Sequence, residues 1–200
     1  MPRTLGQAVF KVPLPLGAAV EADPFVGMFT MIVQTDNAGT SGTDQFTIPT
    51  TGGGYNYSTK MQSVGGGTIA ETSGNTTDVT LTGSAGPGAY KVGISGDFPQ
   101  IYFNNGGDAL KVLSVESWGD IAWTSFLGSF YGCANNASVA SGGNFSGVAN
   151  FTSAWRGNNL TSFSADVSNG TNFTGAWRDN NLTSFSADVS NGTNFTSAWR

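Results

Sequence analysis

A near-verbatim repeat at the carboxyl-terminal end constrains this chain more than any other feature. The 22 residues NFTSAWRGNNLTSFSADVSNGT at 150–171 recur as NFTGAWRDNNLTSFSADVSNGT at 172–193, and NFTSAWR follows at 194–200. A period of 22 residues is typical of solenoids in which each unit is one coil with a short strand and a helical or turn-like return. Because one coil cannot bury its own apolar face, the repetition predicts coils that stack on copies of themselves.

The apolar residues of each unit predict how a coil is built. Phe151, Ala154 and Trp155 are spaced i, i+3, i+4, which predicts a single helical turn with an apolar inner side. Leu160 and Phe163 then supply the strand side of the core. Over all units, the predicted core consists of Phe151, Trp155, Leu160, Phe163, Phe173, Trp177, Leu182, Phe185, Phe195 and Trp199.

Stacking at the strand spacing of about 4.8 Å brings equivalent residues of successive coils together. Trp155, Trp177 and Trp199 then form a column, either as part of the core or as exposed rings that bind the apolar faces of sugars. The core interpretation is favoured, because each tryptophan is at the i+4 position of the apolar turn. Asn159 and Asn181 are expected to form a ladder of side-chain amides.

The pattern along the chain predicts a mainly β protein with three parts. Proline interrupts helix and strand in the first part. In the second, Phe29, Met31 and Val33 alternate with other residues, as do Tyr90, Val92 and Ile94, which predicts two half-buried strands. Such runs with turn signals between them predict a β-sandwich of immunoglobulin- or PKD-like type. The parts are an extended arm at 1–24, the sandwich at 25–116, and a helical connector with repeat units at 117–200. The units lie near 126–149, 150–171 and 172–193, with a partial unit at 194–200.

The connector is predicted from one apolar stretch. At 114–133, Trp123, Phe126 and Phe130 are spaced so that one face of a short helix is apolar. We therefore expect a short helix that closes the end of the sandwich and opens the repeat region.

Composition excludes several classes of protein. Only 10% of the residues are charged and 29 are glycine, which is typical of a turn-rich β protein. The net charge is −5, and no cluster of Lys and Arg is available to bind phosphate groups, so we do not expect nucleic acid as a partner. Cys133 is the only cysteine, so an intramolecular disulfide is impossible. No apolar run is long enough for a membrane span or for the core of a signal peptide. We therefore expect no membrane insertion and no Sec-type export signal.

The chain has no histidine, and its glutamates Glu21, Glu71 and Glu116 are far apart in sequence. Histidine is the commonest general base, and glycosidases that work without it need paired carboxylates. We therefore expect no enzyme, no catalytic residues and no cofactor. A weak calcium candidate is the glycine-rich loop with Asp36, Asn37 and Asp44, although these residue types are also ordinary turn formers.

The segment DVSNGTNFTSAW resembles the repeat of the BspA-type leucine-rich-repeat surface proteins of bacteria and phage. In the copy that begins at Asp166, the matching residues are Asp166, Ser168, Asn169, Thr171 and Asn172. SFYGC at 129–133 resembles the phrase that closes each turn in that family, and the stretch from 25 onward resembles the β-sandwich that often precedes its repeats.

Three departures from the family pattern concern the repeats and the sandwich. Gly170, Phe173 and the Ala176-Trp177 pair stand where the family has valine, methionine and Met-Phe. Each unit is also about three residues shorter than the family's usual length. In the sandwich, the family's acidic turn after Tyr-x-Tyr is replaced by STKMQSVGGGT.

The resemblance implies surface attachment and ligand binding without catalysis. Together with the absence of an export signal and of disulfides, it leads us to expect a non-enzymatic structural or binding protein on the virion surface of a bacteriophage, as capsid decoration or as part of a tail fibre. The expected partners are other virion proteins, copies of the chain itself in a homo-oligomer, and a glycan or protein on the host surface. A bacterial cell-surface adhesin is the alternative, and a glycan-acting enzyme is the third hypothesis.

The partial unit at 194–200 carries a further expectation. An apolar face would remain uncapped after its turn. We expect further repeats, a neighbouring subunit or another virion protein to cover that face.

Overall fold

The structure is a computed structural model that describes residues 22–199, and the fold is mainly β. Residues 1–21 of the predicted arm at 1–24 lie outside the described residues. One turn of 3-10 helix, Ala109–Lys111, precedes the seventh strand. The strands are β1 Phe29–Gln34, β2 Gln45–Ile48, β3 Asn56–Ser63, β4 Ala70–Asn75, β5 Val79–Thr82, β6 Ala89–Asp97, β7 Val112–Trp118, β8 Ser138–Val139, β9 Ser162–Phe163 and β10 Ser184–Phe185.

Six strands form one sheet in the order β4-β3-β6-β1-β7-β8. β1 lies between β6 and β7 and is antiparallel to both, with Met31 opposite Val92 on β6. Phe29, Met31 and Val33 alternate along β1 and are fully buried. Ile94 on β6 is buried on the same side of the sheet, opposite Phe29. The alternation that predicted both strands therefore faces the core.

A second, two-stranded sheet contains β2 and β5. These strands are antiparallel, and Phe46 pairs with Leu81. Phe46, Ile48 and Leu81 belong to the same buried cluster as the apolar face of β1 and β6. This arrangement of two sheets around one core is consistent with a β-sandwich.

The predicted short helix at 114–133 is wrong, because Val112–Trp118 form β7 and the residues after it form turns. The N–H groups of Phe126, Gly128 and Phe130 donate instead to carbonyl oxygens of the following unit. An α-helix would need those donors for carbonyls four residues earlier. The apolar side chains that suggested a helix are buried all the same.

Consecutive copies of the repeat lie side by side. β9 and β10 occupy the same position in successive units and pair in parallel, with Ser162 opposite Ser184. On the other side of each unit, a non-helical turn replaces the predicted helical turn. In that turn the N–H groups of Phe151 and Trp155 donate to the next unit at 2.8 and 2.9 Å.

One hydrophobic core continues from the sheet into the repeats. Trp118 at the end of β7 contacts Phe126, with ring centroids 5.7 Å apart. Phe126 in turn lies 5.7 Å from Phe151 of the first full unit. The repeats are therefore joined to the sandwich by aromatic packing as well as by the backbone.

Candidate functional site

The tryptophan column predicted from the repeat is present. The rings of Trp155 and Trp177 are 6.0 Å apart at an angle of 6°, and those of Trp177 and Trp199 are 5.3 Å apart at 13°. The exposed fractions of the three side chains are 0%, 1% and 45%. Trp155 and Trp177 are therefore core residues in this structure, and only the ring of Trp199 is open to solvent.

The other predicted core residues are likewise buried in the first units of the stack and less buried in the last ones. Six of the ten residues are buried: Phe151, Trp155, Leu160, Phe163, Phe173 and Trp177. Leu182, Phe185 and Phe195 are half-buried, in the last two units. The prediction missed Ala165 and Val167, which are fully buried after Phe163. Their alternation with exposed polar residues is the strand signal that could have found them.

The turn of each unit has an unusual backbone. Ser153 and Gly157 have φ angles of 54° and 66°, and their equivalents Gly175 and Asp179 have 62° and 61°. The two positive φ angles lie four residues apart, and in the turn between them every second N–H group, such as those of Ser153 and Trp155, donates to the next unit. Gly157 adopts the left-handed conformation that glycine tolerates best, and Asp179 adopts it despite its side chain.

Asparagine side chains join neighbouring units both at the surface and in the interior. The Nδ2 of Asn181 donates to Oδ1 of Asn159 at 2.8 Å, which is the predicted amide ladder. Asn158, which is buried, accepts from Nδ2 of Asn136 at 2.8 Å and donates to the Phe130 carbonyl at 2.7 Å. A buried amide with these partners fixes the register between units, because a shifted unit would leave it unpaired.

The outer face of the strand side is polar and periodic. Ser162, Ser164 and Asp166 are exposed and alternate with the buried residues of the core. The carboxylate of Asp188, equivalent to Asp166, accepts the N–H of Ser190 at 2.8 Å, and this hydrogen bond lowers the pKa of Asp188. The face offers hydroxyl and carboxylate groups at regular spacing for hydrogen bonds to a ligand.

In the candidate calcium loop, Asp36 and Asn37 form hydrogen bonds to different parts of the chain. Asp36 accepts from Gln34, and Asn37 donates to the Leu110 carbonyl at 3.2 Å. Asp44 accepts the N–H of Gly83 through its backbone carbonyl. Within residues 22–199, no three His, Cys, Asp or Glu side chains are grouped so that they could hold a metal ion.

Asp108 and Lys111 organise this loop instead, and both are buried. The Asp108 carboxylate accepts the N–H groups of Thr40, Ser41 and Thr47 at 2.7 to 3.0 Å. The Lys111 Nζ donates to the carbonyls of Gly42 and Gln45 and lies 4.0 Å from Asp108 Oδ1. The sequence offered only the i, i+3 spacing as a signal, since the loop that satisfies both charges is more than 60 residues away.

Hydrogen bonds decide the ionisation of Asp108. Burial alone raises the pKa of its carboxyl, but the hydrogen bonds from Ser41 and Thr47 and the charge of Lys111 outweigh burial. The pKa of Asp108 is therefore below its usual value, and the residue is a carboxylate at neutral pH.

A cleft of about 610 Å³ opens beside β3, β4 and β6. Its polar lining includes Ser58, Lys60, Glu71, Ser73, Ser95 and Asp120. Lys60 and Glu71 form an ion pair at 3.5 Å, which neutralises one charge of each sign. The cleft offers hydroxyl groups and one further carboxylate, and no aromatic ring lines it.

No family model matches the chain, and neither a curated protein nor a solved structure matches it. The helices found between residues 22 and 199 lack the length and apolar character needed to cross a bilayer.

Proposed function

We propose that this chain is a non-enzymatic structural and binding protein in which an immunoglobulin-like β-sandwich carries a short leucine-rich-repeat-like solenoid of 22-residue period. The observation that carries the proposal is the repeated interface: the contact between one unit and the next is nearly the same contact each time. Trp155 stacks on Trp177 as Trp177 stacks on Trp199. A stack of this kind forms a stiff projection, because each unit is held by both neighbours.

The projection is rooted in the sandwich by hydrogen bonds as well as by aromatic rings. The N–H of Phe103 donates to the Ser129 carbonyl at 3.0 Å, and that of Asn105 to the Tyr131 carbonyl at 2.7 Å. These bonds place the first turn of the stack on the sandwich in the same way that later turns lie on one another.

The setting that we propose is the virion surface of a bacteriophage, in a capsid decoration or a tail fibre. The amino-terminal residues and the sandwich dock on the particle, and the repeats project toward a glycan or protein of the host surface. The supporting observations are the resemblance to leucine-rich-repeat surface proteins and the polar, periodic outer face that contains Ser162, Ser164 and Asp166. Such a face suits hydrogen bonding to an extended polar ligand.

Fractionation of a culture that expresses the native gene tests this setting. A density gradient separates released particles from cell envelopes and from soluble protein, and an antibody against the chain locates it. We expect the chain in the particle band, with immunogold label on the particle surface. Recovery with the envelope would favour the adhesin hypothesis, and recovery as free protein alone would refute display on a surface.

A further inference from the structure

The cleft of about 610 Å³ on the outer face of the six-stranded sheet is formed by two separate parts of the chain. Strands β3, β4 and β6 supply its floor, and the segment at 24–28 supplies a wall together with Asp120 and Ile121. A volume of this size is typical of sites that bind small molecules.

The floor of the cleft carries hydroxyl groups. Ser58 on β3 lies opposite Ser95 on β6, and Ser73 lines the cleft from β4. Among residues 22–199, no side-chain hydrogen bond occupies these three hydroxyls. Because a hydroxyl group can both donate and accept, the floor suits a ligand that carries hydroxyl groups itself.

The wall of the cleft is fixed to the sheet by packing and by charge. The Phe25 ring lies against Gly93 of β6, where a Cβ would be 2.6 Å from the ring. The Nζ of Lys91 is 4.7 Å from the centroid of the same ring and 3.4 Å from the carboxylate of Asp23. The side chain of Val26 remains 78% exposed and lines the cleft. An apolar surface therefore lies beside the polar floor.

The charges of the cleft disfavour an anionic ligand. Lys60 and Glu71 pair with each other at 3.5 Å. The carboxylate of Asp120 has neither an ion pair nor a hydrogen bond with another residue of the described range. Two carboxylates and one ammonium group leave the cleft negatively charged, so that an anion is repelled.

Asp120 lies where three clefts meet. It also lines a cleft of about 550 Å³ with Ser117 and Ser141, and one of about 440 Å³ with Thr124. The N–H of Asp120 donates to the carbonyl of Gly27 at 2.9 Å, which joins it to the wall. A ligand too long for the first cleft can therefore continue past Asp120.

We propose that this cleft binds a neutral oligosaccharide. The hydroxyls of Ser58, Ser73 and Ser95 exchange hydrogen bonds with the hydroxyl groups of a sugar ring, and the Asp120 carboxylate accepts from two neighbouring hydroxyls. Val26 covers the C–H groups of the ring. An extended peptide would instead pair with the backbone at a sheet edge, whereas this cleft lies on the face of the sheet.

This site is on the sandwich, apart from the polar outer face of the repeats, and it does not rest on the proposed display on a virion. Binding is measured with the purified chain. Success or failure of the gradient experiment therefore leaves the site untouched.

An array of immobilised neutral and acidic oligosaccharides tests the proposal with the purified 200-residue chain. Titration calorimetry with the neutral oligosaccharide that binds best then gives its Kd. Asp120→Ala should weaken this Kd at least about tenfold, because hydrogen bonds to a charged acceptor are lost. Asp36→Ala is the matched control, since it removes an exposed aspartate outside the cleft, and it should leave the Kd unchanged.

Ser58→Gln is a second variant that leaves Asp120 in place. Its longer side chain fills the floor of the cleft and should abolish binding, while thermal unfolding shows whether each variant is folded. The backbone amide NMR signals of Ser58, Ser73 and Ser95 should shift when the oligosaccharide is added. The proposal is overturned if no neutral oligosaccharide binds, if acidic ones bind instead, if binding survives in folded Asp120→Ala and Ser58→Gln, or if the shifts are confined to the repeats.

Discussion

The indole rings of Trp155 and Trp177 lie nearly parallel across a unit boundary, with centroids 6.0 Å apart. Phe163 contacts both rings edge-on, at 4.6 and 5.2 Å. Each unit therefore completes the core of its neighbour, and the stability of the repeats resides largely in the boundaries between them.

Trp155→Ala should lower the free energy of unfolding by about 3–5 kcal/mol, because it removes a fully buried aromatic ring from the middle of the stack. Urea unfolding followed by circular dichroism measures the change.

Trp199→Ala is the matched control for this column. It removes the same side chain where 45% of it is exposed, so we expect about half the loss or less. Equal losses would contradict the assignment of Trp155 to the core.

Asp108→Asn should destabilise the protein by about 3–5 kcal/mol at neutral pH, because it leaves the Lys111 charge buried without its partner. The wild-type contribution depends on pH in a definite direction. The folded pKa of Asp108 is lowered, so its stabilisation is complete above about pH 4, the value for an unfolded aspartate, and is lost as pH falls through the folded pKa.

The difference in stability between wild type and Asp108→Asn should therefore shrink in acid, as measured by thermal unfolding over a series of pH values. Asp36→Asn, in the same loop but exposed, should show little difference at any pH. A difference for Asp108→Asn that stays constant down to strongly acidic pH would be inconsistent with the ionised, hydrogen-bonded carboxylate.

Gly157→Ala should lower stability by about 1–2 kcal/mol, because φ at this position is 66°. A Cβ here would have no neighbour nearer than 4.0 Å, so the cost is conformational.

The reciprocal change Asp179→Gly should raise stability, since the ion pairs of Asp179 with Arg156 and Arg178 are exposed and weak. Chemical denaturation measures both, and a loss of stability in Asp179→Gly would show that these ion pairs outweigh the backbone strain.

Gly170→Val should disrupt the repeat, although valine is the residue that the resemblance leads one to expect there. A Cβ on Gly170 would lie 2.3 Å from the Phe173 ring and 2.8 Å from the Phe151 ring. We expect a loss of at least about 2 kcal/mol, as in overpacked cores.

Gly53→Val is the control for this substitution, because a Cβ on Gly53 meets no atom within 4 Å. Thermal unfolding should give a melting temperature near that of wild type for Gly53→Val and a much lower one for Gly170→Val. Equal melting temperatures would mean that the aromatic rings move aside at little cost.

The local sequence pattern was sufficient to predict the structure wherever residues repeat with a fixed period or alternate between buried and exposed. The alternation of Phe29, Met31 and Val33 predicted β1, and the 22-residue period predicted the stacked tryptophans and the contact between Asn159 and Asn181. In each case one periodic rule determines which side of the chain faces the core.

Local pattern failed where distant groups compete for the same backbone or charge. The spacing of the apolar residues around Phe151 and around Phe126 is compatible with a helix, but the N–H groups of these two residues bond to the next unit and the helix does not form. The hydrogen bonds of Asp108 and Lys111 could not be predicted either, because their partners come from the distant loop before β2 and from the start of β2.

The sequence by itself determined the repeat, its period, its aromatic core and the mainly β character of the chain. Only the tertiary structure decided that the turns are non-helical, that their N–H groups donate to the following unit, and that two buried charges hold the loop before β2 and the start of that strand. The physical reason is that sequence periodicity shows which side chains are buried, whereas the hydrogen-bond partners of the backbone depend on which distant segments of the chain lie beside it.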